Sequence, residues 1–137
     1  MRTVHTDRLT LEPQLATHAA EMFVVLSDPA IYEYENAPPQ SLNGLRERFA
    51  ELESRRSPNG REQWLNGVIR RPDARLIGYV QATVYPGGRA AIAYELGSAW
   101  WGHGFGSEAV QAMLGELAAR FGVRQVSAVL KQANHRS

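Results

Sequence analysis

The 137-residue sequence contains no cysteine. That excludes a disulfide framework, a thiol nucleophile and any zinc site built on thiolates. It also suits the reducing cytoplasm, the expected location. Charge of one sign is lacking as well: 15 basic and 14 acidic side chains leave a net charge of +1. Nucleic-acid binding leans on a cationic surface, so no nucleic-acid partner is expected. Arg55, Arg56, Arg61, Arg70, Arg71 and Arg75 cluster loosely. They read as a solvated face, with an acidic substrate or nearby ribosomal RNA as the other reading. No run is long and apolar enough for a membrane helix, and the first residues hold no signal-peptide core, so no membrane partner is expected. No internal repeat divides the chain. Residues 1–137 therefore read as one domain, which buries about two-thirds of its unfolded surface.

Residues 8–12 alternate as a short strand that Pro13 ends. Leu15, Ala19, Met22, Phe23 and Leu26 mark one face of a helix. Asp28-Pro29 stops it, because proline restricts the residue before it. Residues 30–35 form a short tyrosine-rich segment, and 36–40 a loop. Tyr32 and Tyr34 either line a substrate pocket or pack partly buried. Ser41 suits the N-cap of a second helix carrying Leu42, Leu45, Phe49 and Leu52, with Arg55 and Arg56 toward its C-terminal end. A turn at 57–60 leads into three strands, 63–70, 76–85 and 90–97. Their short connections make them antiparallel neighbours. A long helix ends at Gly122 and a last strand covers 123–131. Strand, helix and strand in that order form a right-handed parallel crossover. The expected fold class is α/β, layered. It has a mixed, mostly antiparallel sheet, a crossover from the fourth to the fifth strand through the third helix, and flanking helices.

The stretch that organises the chain joins the fourth strand to that helix. Gly102, Gly104 and Gly106 alternate with His103 and Phe105, and Val110, Met113, Leu114, Leu117 and Phe121 follow at helical spacing. Glycines at a helix start let backbone N–H groups converge on one anion, aided by the helix dipole. The plainer reading is a glycine-rich turn that only starts a helix. A P-loop is excluded because Ser107-Glu108 stands where Lys-Ser/Thr is needed. A dinucleotide fingerprint is excluded by its glycine spacing and by its early place in a βαβ unit.

Trp101-Gly-His-Gly-Phe-Gly106 resembles motif A of the GNAT superfamily of acyl-CoA-dependent N-acetyltransferases, Arg/Gln-x-x-Gly-x-Gly/Ala, except at its first position. The run from Tyr94-Glu-Leu to Glu108-Ala, the start Thr6-Asp-Arg-Leu-Thr-Leu-Glu-Pro13, and Leu26-Ser-Asp-Pro29 look like the branch of ribosomal-protein N-terminal acetyltransferases. The resemblance covers essentially the whole chain. It implies transfer of an acetyl group from acetyl-CoA to a primary amine, a protein N-terminus or a small molecule, by direct attack on the thioester. No metal is implied. It also implies that N–H groups from His103 through Gly104, Phe105 and Gly106 to Ser107 hold the pyrophosphate, with Gly102 shaping the turn. The Glu95-Leu96-Gly97 backbone would run beside the pantetheine arm. Trp101 supplies no cation, so His103, Lys131 or Arg136 would compensate; His103 reads equally as an exposed turn residue. Ser107 either donates to a phosphate or caps the helix. Glu95 is the candidate base for the amine proton, or else a strand-end carboxylate paired with an arginine. Glu108 suits the helix dipole better than catalysis.

The sequence departs from the family at its end. In this branch Asn-x-x-Ser opens a further helix, followed by two strands, and that helix often carries the tyrosine that protonates the thiolate. Asn134 and Ser137 match that start, the first as a contact to the CoA arm and the second as a catalytic candidate. The expectation is a C-terminally incomplete domain, with an exposed edge strand and a possible homodimer. A catalytically silent acyl-CoA-binding or interaction module is the alternative function.

Overall fold

The computed structural model describes residues 1–32 and 38–131. One six-stranded sheet runs in sequence order: β1 (Val4–His5), β2 (Thr10–Pro13), β3 (Gln63–Arg70), β4 (Leu76–Tyr85), β5 (Arg89–Leu96) and β6 (Gln125–Lys131). The first four junctions are antiparallel and the last, β5 with β6, is parallel. The expected mixed sheet and its crossover are therefore present, with one strand more than the sequence pattern predicts. β1 is only two residues long, too short to show alternation. Pro13 does not end the first expected strand but is the last paired residue of β2, opposite Gly67.

Three α-helices flank the sheet: α1 (Ala19–Leu26), α2 (Leu42–Leu52) and α3 (Phe105–Arg120). The expected first helix divides, since Ala16–His18 is a 3₁₀ turn ahead of α1. Ser41 caps α2 as expected, its hydroxyl accepting from the Gly44 N–H at 2.9 Å. α2 closes at Leu52, short of Arg55 and Arg56.

The sheet separates two apolar clusters. Ile77, Val80, Ala90, Ile92 and Leu96 pack against Phe105, Ala109, Met113 and Leu117 of α3. On the other face Val68 and Leu76, with half-buried Tyr79, meet Ala19, Met22 and Leu26 of α1 and Leu45 and Phe49 of α2. The side chain of Glu116, in α3, is almost fully buried and accepts from the Arg2 backbone N–H at 3.0 Å and its guanidinium at 3.2 Å. That contact ties the first residues to α3. Among the described residues β6 is one edge strand and β1 the other; on β6 Val129 and Leu130 are each 47% exposed. Among the described residues, no helix is long and apolar enough to cross a membrane.

Candidate active site

The C-terminal end of β5 delivers the backbone into a 3₁₀ turn, Ser98–Trp100, and then into the glycine turn before α3. Gly104 is the N-cap residue of α3 in left-handed conformation, φ +80°. A residue with a Cβ is strained there, whereas glycine is not. No side chain caps the helix. Among the described residues, none accepts a hydrogen bond from the N–H groups of residues 103–107. These donors lie at the positive end of the helix dipole. Gly106 is required for a different reason: a Cβ there would stand 2.6 Å from the Tyr94 ring.

A cavity of about 180 Å³ opens at this turn, lined by Tyr94, Trp101, Gly104, Gly106, Ser107 and Lys131 among others. Small-molecule clefts span about 300–1,000 Å³, so this one seats a fragment such as a diphosphate rather than a whole cofactor. Ser107 lies inside the first helical turn, exposed, and does not cap the helix. His103 is exposed, and its carbonyl accepts from Arg8 at 2.9 Å. Lys131 brings its ammonium to 3.8 Å from the Trp101 ring centroid. Of the cations weighed from sequence beside Trp101, Lys131 of β6 stands over its ring.

Further cations surround the turn on aromatic faces. The Arg8 guanidinium lies 4.5 Å from the Phe105 centroid, and Arg71 lies 4.5 Å from that of Trp100. Arg75 stands 5.1 Å from the same Trp100 ring. Two of the arginines read from sequence as a solvated face therefore stack at the site. Arg8 is not among the candidate site residues read from sequence and is placed by Glu108, which accepts from its backbone N–H at 2.9 Å and its side chain at 2.7 Å. Burial works against ionisation of Glu108, but hydrogen bonds from Thr6 and Arg8 outweigh it and hold the carboxyl below its ordinary value. Glu108 is thus a strut between the N-terminal segment and α3.

Asp28 performs a similar service on the other side. Its carboxylate accepts from the Ser98 N–H at 2.7 Å, the Ser98 hydroxyl at 2.6 Å and the Ala30 N–H at 3.0 Å. Burial opposes its charge, and these donors overcome it, so its pKa is lowered. In the sequence Asp28 reads only as part of a helix stop. In the structure it fastens the end of α1 to the turn that follows β5.

Glu95 is 2% exposed on β5, opposite Tyr79 of β4. Burial, with the charge of Glu95 next, pushes the Tyr32 phenol up to about 12. The Tyr79 phenol rises too, from burial first and the Glu95 charge second. The candidate base and Tyr32, read from sequence as substrate-binding, therefore lie near enough to interact electrostatically, with Tyr79, absent from the sequence expectation, paired across from Glu95. Leu96 is engaged on both of its main-chain groups. Its N–H donates to Glu95 at 3.1 Å, and its carbonyl accepts from the Trp101 indole at 2.9 Å. The Gly97 N–H donates to Ile77. Tyr34, Asn134, Arg136 and Ser137 lie outside the described residues. Among the described residues, no group of three or more His, Cys, Asp or Glu is placed to hold a metal.

A strand end, a left-handed glycine N-cap, helix-start amides without an acceptor among the described residues and flanking cations meet at one strand–turn–helix junction. The sequence matches the acetyltransferase (GNAT) domain family over residues 8–137, and the chain belongs to that family. A relative of known sequence, the uncharacterized N-acetyltransferase p20 of Bacillus licheniformis, is 30% identical over 116 residues, 83% of this chain and 65% of p20. The chain thus spans just under two-thirds of that relative's length. Among solved structures, a Salmonella typhimurium acetyl transferase that modifies the N-terminal serine of ribosomal protein L7/L12 superposes with a TM-score of 0.76. It is 17% identical, over 93% of this chain and 74% of that one. A ribosomal L7/L12 alpha-N-protein acetyltransferase solved with coenzyme A gives 0.75 at 16% identity, over 93% and 73%. A GNAT acetyltransferase of Bacillus anthracis gives 0.72 at 16%, over 92% and 72%. At these identities the likeness is one of fold.

Proposed function

We propose that the chain acts as a cytoplasmic acetyl-CoA-dependent N-acetyltransferase of the ribosomal-protein N-terminal branch, with residues 1–137 forming one catalytic domain. The observation that carries this is the row of N–H groups at residues 103–107, without an acceptor among the described residues, behind a glycine N-cap at φ +80°. Those donors, with Lys131 close by, fit a diphosphate in the cavity at the turn. Acetyl-CoA would bring the activated acetyl group. Glu95 takes the proton of the acceptor amine, directly or through water, and Tyr32 and Tyr79 border it. Gly97 and Leu96 border the path of the pantetheine arm, and pairing with Leu96 requires Trp101 and Glu95 to release its carbonyl and N–H. That engagement bears equally on the second reading, a silent acyl-CoA-binding module. Turnover of an amine separates the two.

CoA is expected to raise the melting temperature. At about a hundredfold its Kd, a ligand specific to the folded state adds roughly 2.7 kcal/mol. Differential scanning fluorimetry with millimolar CoA is the measurement, and an unmoved transition sinks the proposal for this chain.

A further inference from the structure

We propose that the sheet face bearing Glu95 also carries a carbonyl-recognising subsite centred on Asn66, which selects a peptide N-terminus as acceptor over a simple alkyl amine or a polyamine. This rests on the acetyltransferase reading and names the substrate class of that same site. Asn66 is only 5% exposed, and its side-chain amide nitrogen is buried without a hydrogen-bond partner among the described residues. A buried donor left unmade is destabilising and rare in native proteins. Asn66 lines a groove of about 220 Å³ between α2 and the sheet, together with Trp64, Gln81, Thr83 and Arg48.

Strand register connects this groove to Glu95. Asn66 pairs with Gln81, which pairs with Ala93; one same-face step along, Val68 pairs with Tyr79, which pairs with Glu95. Paired residues share a face, so Asn66, Gln81, Ala93 and Glu95 all project to one side. The small Ala93 keeps the floor low between Gln81 and Glu95. Strand spacing and rise put Gln81 about 8 Å and Asn66 about 12 Å from Glu95. An extended peptide advances about 3.4 Å per residue, so an amine at Glu95 carries its second to fourth residues past both amides. A short alkyl amine reaches neither.

Charge argues the same way. Among the described residues the groove's lining holds no carboxylate; its cation, Arg48, is paired at 3.3 Å with Glu51, an exposed residue of α2, and the neighbouring Glu62 accepts from the Trp64 indole at 3.2 Å. The nearby carboxylates are already partnered against a polyamine, whereas a peptide carbonyl offers the acceptor that Asn66 lacks.

The test is calorimetric titration of CoA-saturated protein with tetra-alanine amide, whose only polar groups beyond its amine are backbone amides. Asn66→Leu is expected to weaken this binding about tenfold while CoA affinity holds. The same variant should melt about 3 °C higher or more without peptide, because an unsatisfied buried donor has gone. A purely structural asparagine, or one satisfied by water, would instead melt lower on replacement. Gln81→Leu should weaken the peptide similarly, so the test does not depend on one variant folding. Unchanged peptide affinity in whichever variant folds, or displacement of the peptide by spermidine, overturns the subsite. So does a failure of tetra-alanine amide to bind protein that binds CoA, and that result leaves the acetyltransferase reading standing. Absence of CoA binding in the unaltered chain defeats that reading and the subsite with it.

Discussion

Glu95→Gln is expected to lower kcat about 10²- to 10⁴-fold, the usual contribution of a positioned general base. CoA affinity should stay within about twofold of the unaltered chain, because the glycine turn proposed to hold the diphosphate lies beyond the end of β5. The substitution is conservative in shape. Glutamine keeps an oxygen to accept from the Leu96 N–H, the contact now made at 3.1 Å. What disappears is the proton acceptor opposite Tyr79. Steady-state rates with a peptide amine across pH 6 to 9 give the readout. A variant whose kcat is undiminished throughout that range removes Glu95 from the chemistry and leaves it as a strand-end carboxylate.

The second large effect is at the turn. Gly104→Asp should weaken CoA binding by about a hundredfold or more, since two like charges about 4 Å apart repel by roughly 4 kcal/mol in a partly screened site. Folding should suffer less. Aspartate tolerates left-handed backbone better than most residues, at a cost of about 1 kcal/mol. Its Cβ would also stand 3.3 Å from the Arg8 guanidinium, which can pair with it. Gly104→Asn supplies the comparison, having similar size and conformational tolerance without the charge. If both variants lose affinity equally, the effect is steric and the anion site is misplaced. If stability falls as steeply as affinity, the glycine serves folding alone.

The expectations that held are those fixed by local chemistry. Short Pro-Gly and Pro-Asp turns left β3, β4 and β5 no arrangement but antiparallel, and a sixteen-residue helix between β5 and β6 dictated the parallel closure. The glycine turn was legible because three glycines in five positions fit few backbone paths. What the sequence concealed depends on residues far apart in the chain. Arg8 reaches the turn through Glu108, a hundred residues away, and Asp28 reaches Ser98 across seventy. No periodicity encodes such contacts. The arginines at the β3–β4 turn read as solvated because only the fold sets Trp100 beneath Arg71 and Arg75. Asn66 escaped notice because a polar residue in a strand normally faces water, whereas this one is buried in the lining of the groove beside α2.

The place of Trp101 has an optical consequence. Its indole nitrogen donates to the Leu96 carbonyl, and the Lys131 ammonium stands over its ring. An excited indole shifts charge from its pyrrole toward its benzene ring, so a neighbouring cation and a fixed acceptor together set its emission wavelength. Anything that draws Lys131 away or takes the carbonyl alters both at once. Trp64 lies instead beside the groove containing Asn66. Occupancy of the turn and of the groove should therefore be separable by emission colour in single-tryptophan variants of the same chain, without any attached dye.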